Sequence, residues 1–323
     1  MGESVLQVKD LHKSFSSHQV LRGVNLNLQA GSITGLLAKN GAGKSTLISL
    51  ICGLLPADSG EISFSLEGKE NLFRRYIGVA PQDTGVYPGL TLRENLQFAG
   101  RIYGLSGKQL DEATERTAEL FGIQEYYHTP ARNLSGGWKR RLHTAMAVLH
   151  KPRLLLLDEP TVGSDPLARK FILNAVKTLA AEGTAILYTG HYFPEFEELN
   201  AGIAILHNGR IVAENELDIL LQKYGTPGIR VHFSATGAIG KEHIQQLFPL
   251  ERADLWKFAD NVLTIYTGEP ESFFADITML YQGKNSAIRK WEVLRADLES
   301  VYFLLTDAPI EEEKRELLAN LPK

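Results

Sequence analysis

Nine consecutive residues carry the first chemical signal: Ala38, Lys39, Asn40, Gly41, Ala42, Gly43, Lys44, Ser45 and Thr46. They follow an apolar run, Ile33–Leu37, and lead into an apolar helical pattern. The spacing nearly matches G-x-x-x-x-G-K-[ST], a strand–loop–helix device that holds phosphate. Glycines let successive backbone N–H groups turn inward, and the helix start adds partial positive charge. Lys44 would reach the β- and γ-phosphates of a nucleotide, and the Ser45 hydroxyl would ligate Mg²⁺. Ala38 stands where the pattern has its first glycine. A left-handed backbone there would cost about 1 kcal/mol with alanine, whereas negative φ would make the departure nearly free. Weakened or unchanged binding is expected, not abolition.

Four further groups have suitable chemistry. Leu154–Leu157 runs into Asp158 and Glu159. Asp158, at the end of a strand, can hold Mg²⁺ directly or through water. Glu159 can polarise an attacking water as a general base. Adjacent residues of a strand point oppositely, which suits two carboxylates with different roles. Leu134-Ser135-Gly136-Gly137-Trp138 precedes a basic helical pattern, Lys139 to His143. Two glycines at a helix start expose N–H groups and make a second anion site. Gln82 follows the apolar run Ile77–Ala80, and His191 follows Ala185–Tyr188. Both positions face a ligand when such runs are strands of a parallel sheet. Taken singly, each feature also has a plain reading: a chance glycine-rich turn, an acidic strand end, an N-cap at Ser135, a structural histidine. The other histidines show no paired metal-ligand spacing.

The elements that must position these residues alternate along the first two-thirds of the chain. Strands are expected at Val5–Val8, Val20–Leu28, Ile33–Leu37, Glu61–Leu66, Ile77–Ala80, Leu154–Leu157, Ala185–Tyr188 and Ile203–Leu206. Helices are expected at Ser45–Cys52, Leu92–Tyr103, Gln109–Phe121, Trp138–Leu149, Leu167–Leu179 and Pro194–Leu199. Nearly continuous apolar strands alternating with helices predict an α/β core with a central, largely parallel sheet. Asn208-Gly209 marks a hairpin between Ile203–Leu206 and Arg210–Ala213. Thr91 to Arg132 reads as a helical insertion, with Leu110, Ala113, Thr117, Leu120 and Phe121 on one face. Gly225 to Gly228 is a breaker-rich linker. Beyond it come a strand (Ile229–Phe233), a helix (Ile244, Leu247, Phe248) and two strands (Leu255–Phe258, Val262–Tyr266). A helical stripe (Phe273, Phe274, Ile277, Leu280, Tyr281), a strand (Ile288–Val293) and a last helix (Leu298, Val301, Tyr302, Leu305) follow. That order, β-α-β-β-α-β plus a helix, is ferredoxin-like.

The order of the motifs is more specific than any one of them: Phe15, Ala38–Thr46, Gln82, Leu134–Gly137, Asp158-Glu159, Ser164-Asp165, His191. From Val5 to about Tyr224 it resembles the ATP-binding subunit of ABC transporters. The resemblance implies a P-loop NTPase core, residues 1–224, with a helical subdomain near 91–150; the linker at 225–228 and the small α+β ferredoxin-like accessory domain at 229–323 rest on the pattern beyond it. It implies ATP and Mg²⁺ as cofactors. Phe15 would stack on adenine. Residues Ala38 to Thr46 would hold the phosphates, with Ser45, Gln82 and Asp158 around the metal. Ser135, Gly136 and Gly137 would contact the γ-phosphate of ATP on a second subunit, and Asp165 would lie at that junction. Glu159 would be the catalytic base, His191 a γ-phosphate sensor, and Lys44 and Gln82 further catalytic groups. Trp138 departs from the usual polar residue and is expected to affect packing more than chemistry. Leu90–Leu96, Lys139–Leu142 and His207–Val212 are similar to the ATPases of bacterial drug, antibiotic and polysaccharide exporters. Ala296–Thr306 is similar to the closing helix of their C-terminal extension.

Composition bounds the remaining classes. The chain has 323 residues, 44 % hydrophobic and 22 % charged, which suggests two domains and excludes wholesale disorder. It carries no apolar run of about 18 residues. Met1 to Leu6 lack the blocks of a secretory signal, and Leu6 stands where a myristoylation pattern needs Ser or Thr. One cysteine, Cys52, forms no intrachain disulfide and fits a reducing compartment. A net charge of −4 gives no sign of bulk nucleic-acid binding. The expectation is a peripheral subunit at the cytoplasmic membrane face. Its partners would be separate permease chains docked near Gln82–Leu90 and Thr91–Arg132, a second copy of itself, and possible accessory proteins. Competing readings are a soluble mechanochemical ATPase of the same superfamily, and an ATPase gated by ligand binding to the C-terminal domain.

Overall fold

Four leucines in a row, Leu154–Leu157, have no polar face to give to water, and all four are fully buried. They belong to β6 (Leu154–Asp158), inside a six-stranded sheet with the order β5-β6-β7-β3-β8-β9. Its other strands are β3 (Ile33–Leu37), β5 (Ile77–Ala80), β7 (Ala185–Gly190), β8 (Gly202–His207) and β9 (Arg210–Glu216). The pairs β5–β6, β6–β7, β7–β3 and β3–β8 are parallel. A parallel sheet covered on both faces requires strands that are apolar throughout. The turn into β9 is Asn208-Gly209, both at positive φ (48° and 78°).

This computed structural model describes residues 3–65, 70–234, 250, 253, 255–282 and 288–306. The chain divides into two compact units, Met1–Asn215 and Glu216–Lys323.

In the first unit, three expected strands do not join the central sheet. β1 (Ser4–Phe15), β2 (His18–Gln29) and β4 (Ser59–Phe64) form a separate antiparallel sheet, ordered β2-β1-β4. β1 runs well past the expected Val5–Val8. Its apolar alternation breaks at Asp10, which adopts φ 44°, and the register with β2 shifts between Val8 and Leu11. The resulting bulge hides the second half of the strand from a period-two reading. One face of this sheet shares a core with the central sheet through Val8, Leu11, Leu21, Leu26, Leu36 and Leu47.

The helical insertion is present as α2 (Leu92–Ile102), α3 (Gly107–Leu120) and α4 (Gly136–Val148), after α1 (Lys44–Ile51). Thr91 starts α2 with a reciprocal capping box to Glu94. α5 (Pro166–Ala181) and α6 (Phe193–Leu199) complete the unit. Gly35 in β3 gives room to the buried Phe196 of α6: a Cβ there would lie 2.3 Å from the ring.

The second unit opens with a helix absent from the sequence reading, α7 (Leu217–Tyr224). It packs against α9 (Leu298–Thr306), the last helix among the described residues, and falls with it in the second unit. β10 (Gly228–Phe233) starts on the last linker glycine; β11 (Leu255–Ala259), β12 (Val262–Tyr266) and β13 (Ile288–Leu294) follow. The sheet order is β11-β12-β10-β13, with every neighbouring pair antiparallel. Placing the first strand between the third and the fourth is the ferredoxin-like arrangement. α8 (Phe274–Gln282) packs on β13, with Phe273 and Ile277 fully buried beside Ile229, Val231, Leu263 and Ile265. The expected helix at Ile244–Phe248 lies outside the described residues, as do the side chains of Leu280 and Tyr281. Among the described residues no helix is long and apolar enough to cross a membrane.

Candidate nucleotide site

The strand order explains why distant motifs meet. Neighbours β5, β6, β7 and β3 release at their C-terminal ends Gln82, Asp158-Glu159, His191 and the Ala38–Thr46 loop, respectively. In register, Asp158 pairs with Thr189, and Leu37 with Gly190.

The loop holds its shape through two glycines at positive φ, Gly41 (79°) and Gly43 (109°). Gly43 caps α1 and lies against the antiparallel sheet: a Cβ would sit 2.9 Å from Leu21 Cδ2 and 3.0 Å from Val20 Cγ1. Ala38 is not at positive φ, and its methyl is buried in the core with Leu36 and Leu47. The glycine-to-alanine departure therefore carries no left-handed penalty. Lys39, Asn40 and Gly41 form the exposed rim, while Ala42 and Thr46 are half-buried. Lys44 is only 6 % exposed; its Nζ donates to the Ala38 carbonyl (3.1 Å) and the Lys39 carbonyl (3.5 Å). A buried ammonium needs such acceptors, and an incoming phosphate oxygen would replace them in kind.

Asp158 is buried and accepts from two hydroxyls, Ser45 Oγ on Oδ2 (2.7 Å) and Thr189 Oγ1 on Oδ1 (2.7 Å). Ser45 and Asp158 thus bring two oxygen donors together at the helix start, the set that suits a hard cation held mainly by phosphate and water. Glu159 is not an alternating strand residue, contrary to the expectation from sequence. β6 ends at Asp158, and Glu159 turns away in the left-handed region, φ 53°. That conformation is disfavoured by roughly 1–2 kcal/mol in a non-glycine residue. Two bonds hold it there: Glu159 N–H donates to the Thr189 carbonyl (3.2 Å) and to Thr189 Oγ1 (3.1 Å). The turn, not the strand pleat, separates the two carboxylates.

Three segments converge on the buried Glu159 carboxylate. Gln82 Nε2 donates to Oε2 at 3.3 Å. His191 Nδ1 lies 3.1 Å, and Lys44 Nζ 3.6 Å, from Oε1. The His191 ring is 47 % exposed, so it links this carboxylate to the open side of the site.

The remaining expected site residues lie apart from that cluster in distinct settings. Phe15 is 45 % exposed at the tip of β1, next to a turn at Ser16 (φ 53°), with Lys13 Nζ 5.6 Å from its ring centroid. Ser135 caps α4 through its backbone alone, with no side-chain capping bond; it and Gly136 are exposed. Gly137 is buried, and a Cβ there would meet Asp165 Oδ2 at 2.4 Å and Ala168 Cβ at 3.0 Å. Asp165 caps α5, accepting from Ala168 N–H on Oδ1 (2.8 Å). Trp138 packs against Arg141, whose guanidinium is stacked 3.7 Å from its ring centroid and 4.8 Å from that of Phe171. Burial lowers the Arg141 pKa from its ordinary value, with nearby Asp165 and Glu125 opposing that shift.

Sequence reasoning missed three contributors. Thr189 bridges both carboxylate residues, and its signal is positional, opposite Asp158 in the register of β7. Arg140 donates to the Gln82 carbonyl (2.5 Å) and the Val162 carbonyl (3.3 Å). Glu195 is a buried hub that accepts from Tyr188 OH (2.6 Å) and Thr161 Oγ1 (2.9 Å) and pairs with Arg169 (3.0 Å). It ties the segment after Glu159 to the start of α6.

The sequence model of the family described as ABC transporter matches residues 21–162. The chain is 41 % identical over 212 residues to the linearmycin resistance ATP-binding protein LnrL of Bacillus subtilis, covering 65 % of this chain and 68 % of that protein. It is 30 % identical over 308 residues to the Nod factor export ATP-binding protein I of Ralstonia nicotianae, covering 94 % of each. A solved structure titled as the ATP binding subunit of an ABC transporter superposes with a TM-score of 0.62 at 32 % identity, covering 68 % of this chain and 93 % of that one.

Proposed function

The chain belongs to the family of ABC transporter ATP-binding proteins, which hydrolyse ATP, and from that premise we propose that it powers export through separate membrane permease subunits. The observation that carries the reading is the convergence of Lys44, Gln82 and His191 on Glu159 at the ends of adjacent parallel strands. The names of relatives concerned with linearmycin resistance and Nod factor export support the export direction.

In this reading Phe15 stacks on the adenine, and the backbone of residues Ala38 to Thr46 cradles the phosphates. Lys44 leaves the carbonyls of its own loop for the phosphoryl oxygens. Ser45, Asp158 and Gln82 would hold Mg²⁺, which would supply charge neutralisation when bound. Glu159 takes a proton from the attacking water, and His191 reports on the γ-phosphate side of the same carboxylate. Catalysis is positioning and electrostatics, with little covalent work for the protein.

Ser135 and Gly136 are exposed, and the Ser135 side chain makes no capping bond to its own helix. They are offered to a second copy, whose nucleotide they would close over, with Asp165 beside them. ATP that binds the closed pair more tightly than the open one shifts the equilibrium by that difference alone, and hydrolysis releases it. The subunit would sit peripherally on the cytoplasmic face, with Gln82–Leu90 and the helical insertion against the permease. The ferredoxin-like unit would serve as an accessory domain.

Glu159→Gln should trap the closed state. Pull-down of this variant from detergent-solubilised native membranes, with and without ATP, should recover a polytopic membrane protein in stoichiometric amount. Recovery of ribosomal or DNA-associated proteins instead would move the assignment to a soluble ATPase of the same family.

A further inference from the structure

Arg140 lies one turn into α4, the helix that Ser135 caps. Its guanidinium spans two carbonyls from loops far apart in sequence: Nη1 donates to Gln82 O at 2.5 Å and Nη2 to Val162 O at 3.3 Å. Neither carbonyl belongs to a helix or a strand. Gln82 follows β5, and Val162 lies between β6 and α5. Both loops bear on the same carboxylate. The Gln82 side chain donates to Glu159 Oε2 (3.3 Å), and Val162 N–H closes a turn onto the Glu159 carbonyl (3.3 Å). Partial burial lowers the Arg140 pKa from its ordinary value, while the Asp83 and Glu159 carboxylates oppose that shift. The guanidinium therefore faces the site electrostatically as well as through its bonds.

We propose that Arg140 is a positioning residue for ATP hydrolysis: its two-pronged contact ties the helix bearing Ser135-Gly136-Gly137 to both loops that orient Glu159. The proposal rests on the reading of Glu159 as the base. Its physical content is geometric. A planar fork with fixed donor directions holds two acceptors at once, whereas a lysine ammonium is a single flexible point donor. Any displacement of α4, such as a neighbour engaging its exposed start, reaches the Glu159 carboxylate through one guanidinium and one amide. The base is thereby aligned only when the start of α4 is in place.

The test uses ATPase kinetics and equilibrium ATP binding on the full chain. The variants are Arg140→Lys, Arg140→Ala, Gln82→Ala, Arg140→Ala with Gln82→Ala, and Glu159→Gln. Misplacing a catalytic group by a fraction of an ångström to 1 Å lowers turnover steeply, so both Arg140 variants should lose on the order of 10- to 100-fold in kcat. ATP affinity should stay within about twofold, because the loop Ala38–Thr46 is untouched. Added guanidinium ion should restore part of the Arg140→Ala rate and none of the Arg140→Lys rate, since lysine fills the space. In the Gln82→Ala background Arg140→Ala should cost far less, as expected of residues acting through one another. Arg140→Lys keeps charge and bulk, so the prediction survives a failure of Arg140→Ala to fold. Parent-like kcat in Arg140→Lys, an equal loss of ATP affinity, or full additivity with Gln82→Ala overturns the proposal. Glu159→Gln separates the two ideas. If it still turns over, the base assignment falls and the proposal with it. If it is inactive while Arg140→Lys is parent-like, only the proposal falls.

Discussion

Replacing Thr189 by valine isolates one atom of the site. Thr189 is fully buried, and valine reproduces its shape, so the change removes a hydroxyl without opening a cavity. That hydroxyl donates to Asp158 Oδ1 at 2.7 Å and accepts from Glu159 N–H at 3.1 Å. The Glu159 N–H keeps a partner, the Thr189 carbonyl at 3.2 Å. Asp158 keeps Ser45 on its other oxygen at 2.7 Å, but Oδ1 loses its hydroxyl donor in a buried setting. A hydrogen bond to a charged group contributes about 1.5–3 kcal/mol, so Thr189→Val should destabilise the first unit by about 2 kcal/mol. With a urea slope near 2 kcal/mol/M that is a fall of about 1 M in midpoint. Trp138 reports on this unit alone once Trp256 and Trp291, which lie in the second, are changed to phenylalanine. Thr189→Ser is the control: it keeps the hydroxyl and loses a methyl, so its turnover should remain near the parent's while Thr189→Val, with Glu159 less firmly held, falls. A midpoint shift below about 0.2 M in Thr189→Val would refute the reasoning, because a buried carboxylate would then be indifferent to losing its donor.

Other outcomes follow from the same geometry. Ala38→Gly should leave ATP affinity equal or better, because the position is not at positive φ, yet should cost about 1–2 kcal/mol of stability for a buried methyl and added chain freedom; a large loss of affinity would contradict the account of the loop. Trp138→Ala should lose about 2 kcal/mol through the Arg141 stack, with ATP affinity unchanged by equilibrium titration. Burial holds His143 and His150 down to about 4, so both are neutral in the fold where unfolded histidine protonates near 6.5. Their contribution is whole above about pH 6.5 and is lost as pH falls towards about 4, by roughly 3 kcal/mol each. His150→Gln should flatten that decline in urea midpoints measured from pH 7 to pH 5, and an unchanged slope would reject the assignment.

The sequence made the chemistry legible wherever it depends on residue type in a local frame. Gly41, Gly43, Lys44 and Ser45 announce a phosphate loop because backbone freedom, charge and a hydroxyl are needed within a few residues. Strands β11 and β12 of the second unit are legible because Asp260-Asn261, both at positive φ, mark a tight hairpin between two short apolar runs. What depends on pairing between distant segments was not. Nothing in Val5–Val8 says that it joins Val20–Leu28 in a sheet of its own, since either sheet buries the same apolar face. Asp158 and Glu159 part at a left-handed turn and not at a strand pleat, and such a turn leaves no mark in a run of leucines. Thr189 and Arg140 escaped notice because each acquires its partners from strand register or from a helix laid across two loops. The helix Leu217–Tyr224 is hard to read from sequence because its short apolar pattern abuts the breaker-rich stretch Gly225–Gly228.

The strand order also has a consequence for how the chain is made. Strand β3, which presents the glycine loop, lies between β7 and β8, so Ile33 waits for Ile186 before it has a neighbour. That separation is roughly 150 residues, or about 8–30 s of ribosomal synthesis at 5–20 residues per second. Until then the apolar segment Ile33–Leu37 has no sheet to enter, and loops this long close slowly. Nucleotide capture is therefore a late event in the life of the polypeptide. A nascent chain arrested before residue 185 should fail to bind ATP even though every residue of its phosphate loop has already been translated.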